Sequence, residues 1–385
     1  VSASARFART AAAALAAVLL GVSAASAAPD ASDLLRIRGG EVAAEGAHPY
    51  AVQLEIRSGE RLHGRCTGTL IGARWVATAA HCVTRFTEPG SPVLPDLGIE
   101  AVVGAATPAD VPEPDPSRVR ASHAIAHPGF DLQETGLLND FALVRLDRPV
   151  NGEALAMAGP ASAPVAPGMP ATILGWGLQG PGQERSPALR EGVVPVIDDA
   201  ACEAADPFDQ FDGPTMICAG ALPPAGQPAG TCAGDSGGPL IASDARDRRL
   251  LIGITSWGFD SSCATGPDVF TEVAAVAPPV LEAAMDDPLA PLASPTVRVR
   301  AFAYGQGFAF VTLTAETGHL ATDYTVAWRS EAGETGSTSG RLGGVGQTRR
   351  AMTLSGLSPG TQHRVEVTLR NALGQTVEAV ALTTP

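Results

Sequence analysis

From Tyr50 onward the apolar residues of this chain come in short runs, AVQLEI, WVATAA, FALVRL, ATILGWG and LLIGITSW, bounded by Gly, Pro, Asp or Ser. Runs this short, rich in β-formers and punctuated by turn residues, do not build long amphipathic helices or alternating strands and helices. They predict an all-β barrel or sandwich. Only Val273 to Met285 reads as helix, and Pro278-Pro279 restricts where that helix can start.

After Met285 the stretch DDPLAPLASP is rich in proline and small residues and reads as a linker over 287–295. Beyond it VRVRAF, FAFVTL, YTVAW and HRVEVTL alternate apolar and polar, with turn-forming runs such as GETGSTSGRLGG between them. This predicts a second β domain over 296–385, of a size that suits a small sandwich.

At 385 residues, 45% of them apolar, the chain can fill more than one core. Its 26 positive charges are all arginine, against 40 acids and a net charge of -14. That balance argues against a nucleic-acid partner or an anionic membrane surface, both of which need clustered positive charge. The arginine bias, with much Ala, Gly and Pro, is read as genome composition rather than chemistry. At the start, Arg6 and Arg9 precede the apolar run Ala11 to Val22 and the small-residue site Ala25-Ser26-Ala27. This is the pattern of a signal peptide over 1–27. As an anchor it is short against the roughly 20 apolar residues that span a bilayer, and no later stretch qualifies. The expectation is a secreted, extracellular protein without stable membrane insertion. Six cysteines in an oxidising compartment predict three disulfides. Zinc is the alternative use, but no CxxC spacing is present, and sequence alone leaves the pairing open.

The densest cluster of small residues is GTCAGDSGGPL, Gly230 to Leu240, around Asp235 and Ser236. A free serine hydroxyl is a poor nucleophile, so a reactive Ser236 needs a base and a group to orient that base. Upstream lie WVATAAHC, with His81, and NDFALVRL, with Asp140 opening an apolar strand. Taken singly, such a histidine is usually a surface or packed residue, such an aspartate a turn former, and Ser236 a tight-turn residue. The pair His123 and His127 lacks the glutamate of a metal-binding HExxH and reads as packing or surface.

Together, IRGG, TAAHC, DFALVRL, GWG, GDSGGP and SWG stand in the order found in the chymotrypsin and trypsin family of serine proteases, which the chain resembles from Ile37 to about Met285, as a secreted, bacterial member. The order His, Asp, Ser separates this family from subtilisins and α/β-hydrolases. The resemblance implies a double β-barrel with the active site between its halves, and a monomeric endopeptidase acting on protein or peptide substrates without metal or cofactor. It makes Ser236 the nucleophile, His81 the general base and then acid, and Asp140 the residue that orients His81. The N–H groups of Gly234 and Ser236 become the oxyanion hole. The competing reading, an inactive protease-like binder, usually shows loss of a triad residue.

The same resemblance implies a propeptide over 28–36, cleavage between Arg36 and Ile37, and burial of the new Ile37 amine against Asp235. Arg38 stands where the family usually has valine. The trypsin branch floors its specificity pocket with an aspartate six residues before the nucleophile; here that residue is Gly230, followed by Thr231. The opposite wall, Ser256, Trp257 and Gly258, leads to Asp268 where the family usually has glycine. A carboxylate moved across the pocket favours a basic or mixed substrate side chain; an apolar pocket is the alternative. The implied disulfides are Cys66 with Cys82, Cys202 with Cys218, and Cys232 with Cys263. The protease domain is thus expected over 37–286.

In the C-terminal part, LSGLSPGTQHRVEVTLRN resembles the fibronectin type III sandwich through Leu357, Pro359, Thr361, Asn371 and Gly374. His363 stands in place of the signature tyrosine, and Trp328 is expected in the core. No exposed aromatic stripe argues for sugar binding, and the domain is read as a spacer or stabiliser, or as a module that tethers the protease to a polymer, cell surface or protein substrate.

Overall fold

The computed structural model describes residues 37–385, apart from 38, 59–60, 85–96, 112–114, 134–135, 161, 163–164, 181, 223–228, 261–262, 264–265, 286–291, 304–306 and 343–346. The expected signal peptide, the propeptide with Arg36, and Arg38 lie outside the described residues.

Ala51–Ser58, Arg61–Gly72, Trp75–Thr78, Ala142–Leu146, Arg118–Ala126 and Leu97–Val103 pair in that order into a closed barrel. Val52, Leu54, Leu70, Trp75, Val76 and Leu143 are fully buried in its core. A second sheet follows the order Arg190–Pro195, Pro170–Gly175, Pro239–Ser243, Arg249–Gly258, Asp268–Glu272, Met216–Ala219. A bridge between Val196 and Ala219 joins its two ends. Glu41–Val42 adds to the outside of this sheet, with Glu41 opposite Glu191. The result is the double barrel that the resemblance implies.

The helical content differs from the reading of the sequence. The expected single helix is two, Val273–Val276 and Pro278–Met285. Proline lacks the N–H that would continue the first but is well placed to open the second. A further helix, Asp199–Ala205, was not expected because DDAACEAA has no apolar stripe. Asp198 caps it by accepting from Ala201 N–H at 3.3 Å.

The C-terminal strands form a sandwich of a three-stranded and a four-stranded sheet. The first holds Thr296–Ala303, Phe308–Glu316 and Gln347–Ser355; the second runs Thr335–Leu342, Thr322–Ser330, Gln362–Asn371, Gly374–Thr383. Val311, Leu313, Val326, Val365, Val367 and Leu369 fill the space between them. His363 is buried, and its Nε2–H donates to Ser358 O at 3.2 Å, so the imidazole makes a bond back to the preceding turn. Trp328 is half-buried rather than central. Its ring lies over Gly336, where a Cβ would come within 2.0 Å of it.

The described barrel and sandwich belong to one compact unit. Leu320 and Ala321 of the sandwich join the barrel core, and Ala321 N–H donates to Ile71 O at 2.8 Å. Buried Asp323 accepts from Arg341 at 2.9 Å and meets Arg248 at 3.0 Å. The described end of the expected linker is fixed too: Leu292 is buried and Ala293 N–H donates to Gly318 O at 3.0 Å. The disulfides are Cys66–Cys82, Cys202–Cys218 and Cys232–Cys263, which leaves no free cysteine. Among the described residues no helix is long and apolar enough to cross a membrane.

Candidate active site

Strand register brings the first two residues together. Thr78 pairs with Ala142. His81, three residues past Thr78 in a short 3-10 turn, and Asp140, two residues before Ala142, therefore emerge at the same end of the barrel. Asn139, at φ 57°, turns the chain into that position, a conformation asparagine tolerates. His81 Nδ1 lies 2.7 Å from Asp140 Oδ2, and His81 N–H donates to Oδ1 at 2.9 Å. Ser256 Oγ also donates to Oδ2, at 2.6 Å, and Thr271 Oγ1 donates to the Asp140 carbonyl at 3.0 Å. Asp140 is fully buried. Burial alone would push the His81 imidazole down; the charge and hydrogen bond of Asp140 outweigh it and raise His81 above the ordinary histidine value. With Nδ1 directed at Asp140, Nε2 is the nitrogen that can take a proton from a nucleophile.

The Ser236 loop is stitched to both barrels. Thr67 N–H donates to Ser236 O at 2.8 Å, and Gly237 N–H to Thr255 O at 2.9 Å. Gly237 has φ +79°, and a Cβ there would lie 2.1 Å from Thr78 Oγ1, so only glycine fits between the first barrel and the loop. Among the described residues, neither the Gly234 nor the Ser236 N–H has an acceptor within the protein. These donors suit a developing oxyanion.

Asp235 turns the other way. Its Oδ1 accepts from Gly177 N–H at 2.6 Å and its Oδ2 from Cys232 N–H at 2.9 Å. A Cβ at Gly175 would stand 2.0 Å from Oδ1, and one at Gly177 2.5 Å from Oδ2. The two glycines of GWG are thus the floor of a carboxylate cradle, a role the motif alone did not disclose. Burial pushes the Asp235 carboxyl up to about 6, against the two N–H groups and the charge of Arg185. Ile37 is buried, with Cγ2 3.2 Å from where a Gly192 Cβ would stand. Gly192 is the register partner of Ile173, two residues from Gly175 on the same strand face. Ile37 and Asp235 therefore cover neighbouring positions of one sheet face.

Gly230 and Asp268 are both buried. Asp268 Oδ2 accepts from Thr231 N–H at 2.7 Å, which draws the carboxylate toward the segment that carries Gly230. Gly258 faces Asp268 in register, and a Cβ there would be 3.1 Å from Oδ1. Trp257 stacks on Phe259 with ring centroids 5.7 Å apart, and Cys232–Cys263 ties this wall to the nucleophile loop. Ser256, assigned from sequence to the substrate wall, turns its side chain to Asp140. Cys66, His81 and Cys82 cluster closely, but both sulfurs are spent in a disulfide. His123 packs edge-on against Trp75, and His127 Nδ1 accepts from Gly129 N–H, so this pair is used structurally.

The trypsin family model matches residues 37–280, and the chain belongs to that family. It is 36% identical over 252 residues to mouse serine protease 56, covering 62% of this chain and 37% of that protein. It is 34% identical over 264 residues to guinea pig coagulation factor XII, covering 63% of this chain and 40% of that protein. Against trypsin of Saccharopolyspora erythraea it is 33% identical over 239 residues, 62% of this chain and 94% of the relative. The chain thus matches about two fifths of the length of these mammalian relatives.

Proposed function

We propose that this chain is a secreted serine endopeptidase, made as a precursor, that cleaves proteins or peptides through Ser236, His81 and Asp140. The observation that carries the reading is the sealed Asp140 carboxylate, which holds His81 by Nδ1 at the barrel end where the Ser236 loop is stitched across. Ser236 Oγ attacks the substrate carbonyl as its proton passes to His81 Nε2. The oxyanion is met by the Gly234 and Ser236 N–H groups, and His81 returns the proton to the leaving amine. Water, deprotonated by His81 in turn, then releases the acyl group from Ser236.

Activation by a cut between Arg36 and Ile37 is supported by the seating of Ile37 beside the Asp235 cradle. Buried Asp268 favours a cationic substrate side chain, while its bond to Thr231 N–H leaves apolar specificity as a second reading. Three disulfides fit an oxidising, extracellular setting. The sandwich, read as fibronectin type III-like from its three-plus-four strand arrangement, serves as an integral support of the catalytic unit rather than a loose tether.

Initial hydrolysis rates on peptides that differ only in Arg, Lys, Phe or Leu before the cut bond test this reading, with Ser236→Ala as control. Cleavage lost in the control supports the protease. No cleavage after a verified cut before Ile37 shifts the reading to an inactive binder.

A further inference from the structure

The sequence gives no sign of an aromatic stripe in the C-terminal part, but strand pairing makes one. Ala309, Val311 and Leu313 turn into the sandwich core, so the alternate positions of the same strand, Phe308, Phe310 and Thr312, face outward. The hairpin sets Phe302 opposite Phe310, Arg300 opposite Thr312 and Arg298 opposite Thr314. The Phe302 and Phe310 rings meet with centroids 5.5 Å apart. Phe302 is nonetheless 58% exposed and Phe308 44%. On the third strand Thr353 stands opposite Phe310 and Ser355 opposite Phe308, and both are exposed.

Phenylalanines gathered on one solvent face mark a contact surface. Their neighbours decide what covers it. Arg298 and Arg300 are exposed and make no ion pair among the described residues, in a chain of net charge -14. Pairing this face with a second copy of itself would set arginine near arginine, which like charge opposes. A bilayer would accept the rings, but Thr353 and Ser355 share their rows on a flat sheet, and their hydroxyls would enter hydrocarbon without partners. Rings, hydroxyls and guanidinium groups side by side match one ligand class instead: sugar rings offer C–H faces to the aromatics and hydroxyls to the threonines and serine, and carboxylates along the chain suit the arginine forks. From Phe308 to Thr314 the strand rises about 20 Å, which spans several sugar units. The contact with the barrel lies beyond Glu316, where Ala293 N–H donates to Gly318 O and Ala321 N–H to Ile71 O, and leaves the aromatic end clear.

We infer that this face of the sandwich binds an acidic polysaccharide of the polyuronate class, with Phe302, Phe308 and Phe310 against the sugar rings and Arg298 and Arg300 on the carboxylates. Because the sandwich is packed on the barrel, binding holds the catalytic unit on the polymer. The inference does not depend on the proposed roles of Ser236, His81 and Asp140.

The full chain carrying Ser236→Ala, which keeps it from digesting itself, is run in native gels containing polygalacturonate, alginate, methyl-esterified polygalacturonate or polyglutamate, and is sedimented with phosphatidylglycerol vesicles. Retardation is expected in polygalacturonate or alginate, falling with added salt, and not in polyglutamate, which has carboxylates but no sugar rings. Phe302→Ser with Phe308→Ser, and separately Arg298→Gln with Arg300→Gln, should each weaken it at least about ten-fold. The methyl ester should retard the chain correspondingly less. Thermal melts of both double variants should match the parent, since the four side chains are exposed. No retardation by either polyuronate, retardation unmoved by either double variant, equal retardation by the ester or by polyglutamate, or binding to the vesicles alone overturns the inference.

Discussion

Ser256 Oγ lies 2.6 Å from Asp140 Oδ2, the same oxygen that His81 Nδ1 reaches at 2.7 Å. One carboxylate oxygen, sealed from water, thus serves two donors, one from a 3-10 turn of the first barrel and one from a strand of the second. Ser256→Ala removes one of them without touching the other. Leaving a buried acceptor short of a partner costs about 1–3 kcal/mol. We expect kcat/KM to fall roughly 10- to 100-fold, with KM little changed. Asp140→Asn, which spoils the imidazole tautomer, should cost on the order of 10⁴-fold in kcat. Steady-state kinetics on both variants check this; a fully active Ser256→Ala would show that its hydroxyl gives Asp140 no support.

The His81 imidazole provides a second check through its titration. Burial, the largest influence, lowers it, and Asp140 more than restores it, so the folded value lies above the ordinary one. The stability contributed by the pair is then complete below the ordinary histidine value and lost as pH rises through the folded one. Activity should rise over that same upper step, because the base must be neutral. Histidine NMR of Ser236→Ala should show His81 titrating above about 6.5, and below it when Asp140→Asn is added. A His81 that titrates low with Asp140 intact would contradict the geometry.

The proposed preference for a cationic substrate side chain turns on Asp268. Thr231 N–H occupies one of its oxygens and the other lies near Gly258, where no side chain intervenes. If the carboxylate faces the substrate, Asp268→Asn should reduce kcat/KM for Arg and Lys peptides by about 10²-fold or more, by loss of a buried charge pair, and leave Leu peptides within a few-fold. Equal effects on both classes would assign Asp268 to the wall rather than to recognition.

Much of this was legible in the sequence because short-range chemistry carried it. The turn residues and short apolar runs specify strands, and the cysteine pairs lie as the family resemblance implied. What was not legible depended on tertiary contact. GWG looks like a turn until the Asp235 carboxylate lies on its two glycines, and the sequence does not show that the Ser256 hydroxyl reaches Asp140. The proline-rich stretch after Met285 reads as loose because composition cannot show that Leu292 enters a core.

Asp235 gives a prediction on stability. Its folded pKa of about 6 lies above the ordinary 3.8, so the folded uncut chain binds a proton more readily than the unfolded one. Stability therefore falls as pH rises from about 4 to 6 and stays reduced above that, by about 3 kcal/mol at most. In the uncut Arg36→Gln chain, Asp235→Asn should raise Tm at pH 8 and change it little at pH 4. A Tm difference independent of pH would show that folding does not raise the Asp235 carboxyl.

The docking of the sandwich predicts how the chain unfolds. Leu292, Leu320, Ala321 and Ala372 belong to the same buried cluster as Trp75 and Leu143, and Asp323 is held by arginines from both the barrel side and its own sheet. Separating the two parts would expose that apolar surface and leave Asp323 without the Arg248 charge. Calorimetry should therefore show one cooperative transition rather than two. Arg248→Ala breaks the ion pair across the junction, and loss of a partner to a buried carboxylate should cost about 3 kcal/mol. That loss should appear in the barrel as well as the sandwich, read as a lower midpoint for protease activity on heating. Two independent transitions, with the catalytic one unmoved by Arg248→Ala, would show that the sandwich is a separate passenger.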